Sequence, residues 1–104
     1  MDDFQRHLAK ELQNPEFRRL WEDDAPYREL LRAMCAAQNE FDLTQAQLAE
    51  RCKMSQGNLN RIVMGNGNPT LSTLQRIARG FGKVLMISFV DPSEVDRMDL
   101  ADAS

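Results

Sequence analysis

The sequence has few of the residues that carry catalysis or bind metal ions: one histidine, His7, and two cysteines, Cys35 and Cys52. Their spacing fits no metal-ligand pattern, and no glycine-rich phosphate loop is present. We therefore expect no enzyme activity, no metal ion and no cofactor. Both cysteines fall on apolar faces of predicted helices, which indicates free, buried thiols in a cytosolic protein.

Long apolar runs are also missing from the sequence. No stretch approaches the roughly 18 uninterrupted apolar residues of a membrane span. The first residues, Met1-Asp2-Asp3, are acidic rather than apolar, so we expect no secretory signal and a cytoplasmic location. A length of 104 residues is typical of one domain with a modest core.

Charge is distributed unevenly along a chain whose formal net charge is only −3. Residues 1–42 carry −4, residues 43–83 carry +5 with Glu50 as their one acid, and residues 84–104 carry −4. A basic middle between acidic flanks indicates a polyanion as one partner and a basic molecule as another. The alternative is that the acidic flanks only provide solubility.

Three helices are predicted in the first 40 residues. The first repeats apolar residues at helical spacing from Phe4 to Leu12. Asn14 caps the second, with Pro15 in its first turn. The third runs from Tyr27 to about residue 38, and its apolar face comprises Leu30, Leu31, Met34 and Cys35.

The most informative part of the chain is 45–64, which reads as two short helices joined by a tight turn at Lys53. Thr44 and Gln47 form a capping box for the first helix, and Ser55 caps the second. One side of the second helix is apolar, and the opposite, exposed side carries Gln56, Gly57, Asn60, Arg61 and Met64. Amides and a guanidinium on an exposed helix face are the groups that read base edges in a DNA major groove.

A loop at 65–69 separates this pair from a last helix, which Thr70 caps and Gly82 ends. Its predicted inward residues are Leu71, Leu74, Ile77, Ala78 and Phe81. The β-prone residues 83–90 are apolar on both faces and predict a strand. Because one strand is not stable alone, it must pair with a second copy, another protein or another strand of the chain. In the acidic tail, either disorder or a short helix bearing Val95 and Met98 is expected.

Three motifs strongly resemble the Xre/Cro-type helix-turn-helix family: LTQAQLAER at 43–51, MSQ at 54–56 and NPTLSTLQRIA at 68–78. Through NPEFR at 14–18 and GKVLMISF at 82–89, the whole chain resembles HigA-type antitoxins of type II toxin–antitoxin modules. The resemblance implies a mainly α fold: a five-to-six-helix Xre/Cro-like domain with an N-terminal helical extension and one C-terminal pairing strand. We expect one domain over 1–104, comprising the extension at 1–25, the core at 26–82, the strand at 83–90 and the tail at 91–104.

The resemblance also implies a function. It predicts a homodimeric repressor that binds operator DNA and holds a small basic ribonuclease toxin of the RelE/HigB kind inactive by direct contact. A solitary repressor without a toxin is the second hypothesis, and an interaction adaptor that has lost DNA binding is the third.

Individual DNA contacts follow from the same resemblance. Gln45 is expected to hold a phosphate, although it is also simply part of a capped helix start. Gln56 and Asn60 are candidates to read adenine, because a carboxamide can bond to N6 and N7 together, against the alternative of a solvated polar face. Arg61 is expected to contact either guanine or phosphate. Residues expected near the DNA backbone are Ser55, Lys53, Asn66 and Asn68.

Three positions depart from the pattern of the family. Lys53 stands where the turn usually has glycine, which predicts modest left-handed strain. Met64 ends the second motif helix where the family usually has glutamate nearby. Gly57 replaces a polar side chain at an apparent cost of ~1 kcal/mol inside a helix, which close approach of the backbone to DNA would explain.

Two groups of residues are candidates for protein contact. Phe17, Trp21 and Tyr27 form either a toxin-facing patch or, at helical spacing, part of the core. The apolar strand residues are expected to pair within a dimer or with the edge of a toxin sheet, and they are Val84, Leu85, Met86, Ile87 and Phe89.

Overall fold

Helices make up most of the chain in this computed structural model, which describes residues 3–95. In chain order they are α1 (Asp3–Glu11), α2 (Pro15–Asp23), α3 (Ala25–Phe41), α4 (Gln45–Arg51), α5 (Gln56–Val63) and α6 (Leu71–Gly80). Residues 92–95 are also helical, at the end of the described part. The described residues divide into two compact units, 3–25 with 88–95, and 26–87.

The first unit contains α1 and α2, joined at the predicted Asn14 cap. The Asn14 Oδ1 accepts hydrogen bonds from the backbone N–H of Glu16 at 2.9 Å and of Phe17 at 3.3 Å. Leu8 and Leu12 are buried as the helical spacing predicts, whereas Phe4 on the same stripe is 64% exposed.

The second unit holds a hydrophobic core formed by α3, α4, α5 and α6. Its buried members are Met34, Ala37, Leu48, Ala49, Cys52, Leu59, Ile62, Val63, Ile77 and Phe81. The inward faces predicted for the two motif helices are thereby confirmed. Met54 of the turn packs against the same cluster, together with Leu30, Leu43 and Leu74.

The core depends on a close approach between the end of α4 and the end of α6. Gly80 is buried in α6, and a Cβ placed there would lie 2.4 Å from Cys52 Sγ and 2.8 Å from its backbone N and Cα. The Cys52 thiol lies 3.6 Å from the Ile77 carbonyl oxygen. Burial raises the pKa of this thiol, which keeps it a neutral packing group.

Four helices end in the same way, with one residue in the left-handed conformation. After α3, α4, α5 and α6 these residues are Asp42, Lys53, Gly65 and Gly82, with φ of 53°, 59°, 82° and 74°. At each end the next N–H bonds to a carbonyl five residues back, as in Lys83 N to Ala78 O at 2.8 Å. This is the Schellman arrangement, which satisfies carbonyls that the helix leaves without partners.

The predicted strand at 83–90 is not formed within the described residues. These positions are without regular secondary structure, and residues 3–95 contain no strand. The physical reason is that a β-ladder needs a second segment to exchange backbone hydrogen bonds, and the rest of the described chain is helix, turn and loop. Val84 and Met86 are each 86% exposed and Phe89 is 99% exposed.

The burial predicted for Cys35, Leu31 and Leu71 was wrong. Cys35 is exposed because α3 turns Met34 and Ala37 toward the core, which places Cys35 and Leu31 together on an outer stripe. Leu71 is 53% exposed because it is the first residue of α6, ahead of the turn from which Leu74 and Ile77 reach the core. Cys52, in contrast, is buried as predicted.

The approach of α6 to Cys52 predicts that Gly80→Ala will destabilise the fold. The added methyl group meets backbone atoms that cannot move away, so we expect a loss of about 2–3 kcal/mol of unfolding free energy. Gly57→Ala is the matched control, because a Cβ there meets nothing within 4 Å. Urea denaturation followed by circular dichroism measures both, and equal midpoints for the two variants would contradict the packing described.

Candidate DNA-binding surface

The orientation of α5 relative to α4 is set by a tight, fully hydrogen-bonded turn. The backbone N–H of Lys53 donates to the Glu50 carbonyl at 3.0 Å, and that of Met54 donates to the Ala49 carbonyl at 3.1 Å. Lys53 adopts a φ of 59°, so the left-handed turn expected from the sequence is present. A lysine there carries a backbone cost that glycine would avoid.

α5 has one buried and one exposed side. Ser55 caps it, its Oγ accepting the Asn58 N–H at 3.1 Å. Leu59, Ile62 and Val63 hold it against the core. The opposite side exposes Gln56, Gly57, Arg61 and Met64, while Asn60 is half-buried. The side chains predicted to read bases are therefore presented together on one helix.

Two amide side chains from different helices meet at one end of this face. Gln56 Nε2 donates to Gln45 Oε1 at 3.3 Å. The capping box of α4 is made by Thr44 and Gln47 alone, through bonds of 3.1 Å and 2.9 Å. Because the cap needs no help from Gln45, its side chain is available to orient Gln56.

Four of the six basic residues in 43–83 fall into two groups, and the other two, Arg76 and Arg79, are exposed on α6. Arg51 lies over the Phe41 ring, with 4.1 Å from Cζ to the ring centroid, and Lys83 pairs with Glu40 at 3.1 Å. Both side chains therefore already have a partner within the same unit. Lys53 and Arg61 have no ion-pair partner among residues 3–95 and are exposed, one in the turn and one on α5. Unpaired cations beside exposed amides provide both the electrostatic and the hydrogen-bonding parts of a DNA-binding surface.

The remaining predicted DNA contacts lie in the loop after α5. The backbone N–H of Asn66 donates to the Arg61 carbonyl at 2.9 Å, which fixes the start of this loop to the end of the helix. Asn66 and Asn68 are both exposed. Met64 is the C-cap of α5 and is 67% exposed, so it is an apolar group at the rim of the surface.

The aromatic residues considered for protein contact are divided between the two units. Phe17 and Trp21 stack within α2, with ring centroids 6.4 Å apart and planes at 17°. Tyr27 belongs to the other unit, where its ring packs beside Gly65: a Cβ built on Gly65 would lie 3.6 Å from Tyr27 Cγ. All three are half-buried.

Two features of this surface could not be predicted from the sequence. They are the Gln45–Gln56 hydrogen bond, and the contacts of Arg51 and Lys83 with Phe41 and Glu40. Gln45 and Gln56 are 11 positions apart on different helices, so no periodicity links them. Arg51 and Lys83 could be counted as charges from the sequence, but their partners Phe41 and Glu40 come from α3 and depend on how the helices pack.

Comparison with known families agrees with this geometry. Residues 36–84, a little under half of the chain, match the helix-turn-helix family model. The match supports the Xre/Cro-type family and, with it, a DNA-binding transcription regulator. Families of this kind are regulatory and generally not enzymatic. Comparisons with curated proteins and with solved structures gave no significant match.

Within 3–95 there is no group of three or more histidine, cysteine, aspartate or glutamate side chains placed to hold a metal ion. No helix in that range is both long and apolar enough to cross a lipid bilayer.

Asp42 and Lys53 end α3 and α4 in the same left-handed conformation, but their replacement by glycine should have different effects on DNA binding. Lys53→Gly and Asp42→Gly should each stabilise the fold, by about 1 kcal/mol for Lys53 and less for Asp42, because aspartate tolerates the left-handed region better. Only Lys53→Gly removes an exposed cation from the binding surface, so it alone should weaken DNA binding and reduce the salt slope by about 1. Urea denaturation and fluorescence anisotropy at several salt concentrations measure both effects, and equal DNA affinities for the two variants would argue against a role for Lys53.

Proposed function

We propose that this protein is a homodimeric antitoxin that represses its own operon and neutralises a small basic ribonuclease toxin of the RelE/HigB kind. The helix-turn-helix match supports DNA binding and regulation in general. The observation that carries the sequence-specific part is the Gln45–Gln56 amide pair, preformed on the exposed end of α5.

The amide pair is suited to reading adenine. One hydrogen of Gln56 Nε2 is used by Gln45 Oε1, so the second hydrogen can reach adenine N7 while Gln56 Oε1 accepts from N6. Gln45 is left with its own Nε2 to donate to a phosphate. Farther along the face, Asn60 meets a second base, and Arg61 meets guanine or phosphate.

If the two glutamines act as a unit, their substitutions will not add. We expect Gln56→Ala to weaken binding to a selected operator by about 1–3 kcal/mol, and Gln45→Ala to weaken it less. The double variant should lose less than the sum by at least about 0.5 kcal/mol. Fluorescence anisotropy titrations of the operator with the wild type, both single variants and the double variant complete this double-mutant cycle. Gln75→Ala on α6 is the matched control and should leave the affinity unchanged. Strict additivity would contradict a shared adenine site.

Pairing of two copies through 83–90 is the proposed route to a dimer. The residues expected at this contact, Val84, Leu85, Met86, Ile87 and Phe89, form a β-prone run whose side chains are mostly exposed. Its start is fixed, because the Lys83 N–H donates to the Ala78 carbonyl and the Lys83 ammonium pairs with Glu40. A second copy would supply the missing ladder, and twofold symmetry would present two α5 helices about one DNA turn apart. The edge of a toxin sheet is the other candidate for this segment.

Neutralisation of a basic toxin is supported by charge and by exposed apolar groups. Residues 1–42 and 84–104 each carry −4, which favours a cationic partner. The first unit exposes Phe4 and Leu20, each to 64%, and also contains the stacked Phe17 and Trp21. Large exposed apolar side chains near acidic groups are suited to protein contact.

Separate surfaces for DNA and toxin predict separable variants. Arg61→Ala should weaken operator binding by ~1–3 kcal/mol but still rescue growth of cells that express a small basic toxin which the wild type neutralises. Leu20→Asp should leave operator binding unchanged but abolish the rescue of growth, because it places a charge within the apolar surface of the first unit. Arg79→Ala on α6 controls for loss of one arginine. Rescue lost with Arg61→Ala would disprove separate sites, and absence of any neutralised basic protein would leave a solitary repressor.

A further inference from the structure

The ends of three helices meet at one aromatic ring, that of Phe41. Phe41 is the last residue of α3, and the guanidinium of Arg51, the last residue of α4, lies over its ring at 4.1 Å from the centroid. Gly82, which follows the C-cap of α6, lies at the tip of the same ring. A Cβ built on it would be 3.0 Å from Phe41 Cζ and 3.9 Å from Arg51 Nη2. The ring is only 36% exposed and therefore joins the C-terminal ends of α3, α4 and α6.

The chain leaves the core toward 84–90 at this same point. Gly82 has a left-handed φ of 74°, and the N–H of Lys83 donates back to the α6 backbone at 2.8 Å. The Lys83 ammonium pairs at 3.1 Å with Glu40, which precedes Phe41 in α3. The next side chain, that of Val84, is already 86% exposed. The direction in which 84–90 starts is therefore set by the contacts of residues 82 and 83 with the end of α3.

Among these contacts, the ring of Phe41 is the best suited to fix that direction. The pair between Lys83 and Glu40 joins two side chains that are 56% and 49% exposed, so water and salt weaken it. Glycine itself permits several backbone conformations and restricts none of them. A rigid ring held under a guanidinium, in contrast, leaves Gly82 one position in which to pass.

We propose that Phe41 is a positioning residue that sets the spacing between operator half-sites, because it fixes the direction in which 84–90 leaves the core. The inference rests on the proposed function, since it assumes that two copies pair through 84–90 and that each places α5 in a major groove. A change in that direction alters both the separation and the relative rotation of the two α5 helices. One added base pair moves a half-site by about 3.4 Å and turns it by about 35°, so a fixed direction selects one spacing.

The experiment uses the full chain and an operator enriched by the wild-type protein from a random-sequence duplex library. Further duplexes carry the same two half-sites with one base pair added or removed between them, and another carries a single half-site. Wild type should bind the selected spacing at least about tenfold more tightly than either neighbouring spacing. Phe41→Ala should bind the three spacings within about threefold of one another, because the pairing segment can then leave in several directions. Its affinity for the single half-site should equal that of wild type.

Two further variants separate loss of this contact from loss of stability. Leu30→Ala removes apolar packing against the core from an earlier turn of α3. It should lower the urea midpoint but keep the wild-type preference for one spacing. Gly82→Ala disturbs the same contact from its other partner, since the added Cβ meets the Phe41 ring at 3.0 Å. It should therefore broaden the spacing preference as Phe41→Ala does.

The outcomes distinguish this inference from the proposed function. If the wild type is monomeric or enriches no sequence with two half-sites, both are overturned. If it is a dimer that binds all three spacings equally, or if Phe41→Ala selects one spacing as sharply as wild type, the positioning role is wrong and dimeric DNA binding stands. If Phe41→Ala loses affinity for the single half-site and for the operator by the same factor, the ring supports the fold of the DNA-binding surface instead, and the inference is again overturned.

Discussion

The hydrogen-bonded turn at Lys53 is the constraint on which the candidate surface depends. By ending α4 with a left-handed residue, it sends α5 across the core so that Leu59, Ile62 and Val63 are buried and the opposite side is exposed. The same turn brings Gln56 of α5 within 3.3 Å of Gln45 of α4. Local backbone geometry therefore decides which side chains a DNA groove would meet, while the core, with Gly80 against Cys52, holds that geometry in place.

Three departures from local sequence–structure preference lie on the surfaces that we assign to partners, while Asp42, also left-handed, lies on none of them. Lys53 is a non-glycine residue in a left-handed turn, Gly57 is a weak helix former with open space above it, and 84–90 exposes a run of apolar residues. Natural proteins commonly give up local consistency at functional positions. Arg51 and Lys83 contact Phe41 and Glu40 at the surface of the same unit, whereas Lys53 and Arg61 have no ion-pair partner among residues 3–95.

Caps and core faces could be predicted from the sequence because their causes are local. Each predicted N-cap is present, at Asn14, Thr44, Ser55 and Thr70. The side-chain oxygen of an N-cap residue accepts a hydrogen bond from a backbone N–H only two or three residues later, so the cap depends on nearby sequence alone. Burial of Cys35 and Leu71 was predicted wrongly because helical spacing gives a stripe but not which edge of it meets the core. A strand at 83–90 forms only if a second segment pairs with it, and the Gln45–Gln56 hydrogen bond forms only if α4 and α5 pack together. Hydrophobic periodicity reports neither condition, so neither result could be predicted from it.

The most direct test of the central claim is the change in amide chemical shifts of the full chain as an operator duplex is added. If α5 is the reading helix, the largest shifts will fall at Gln45 and along 53–61, with smaller ones at Asn66 and Asn68 and little change across α1 and α2. Shifts that are largest on α1 and α2, or absent from α5 while DNA is bound, would contradict the assignment of this face to DNA.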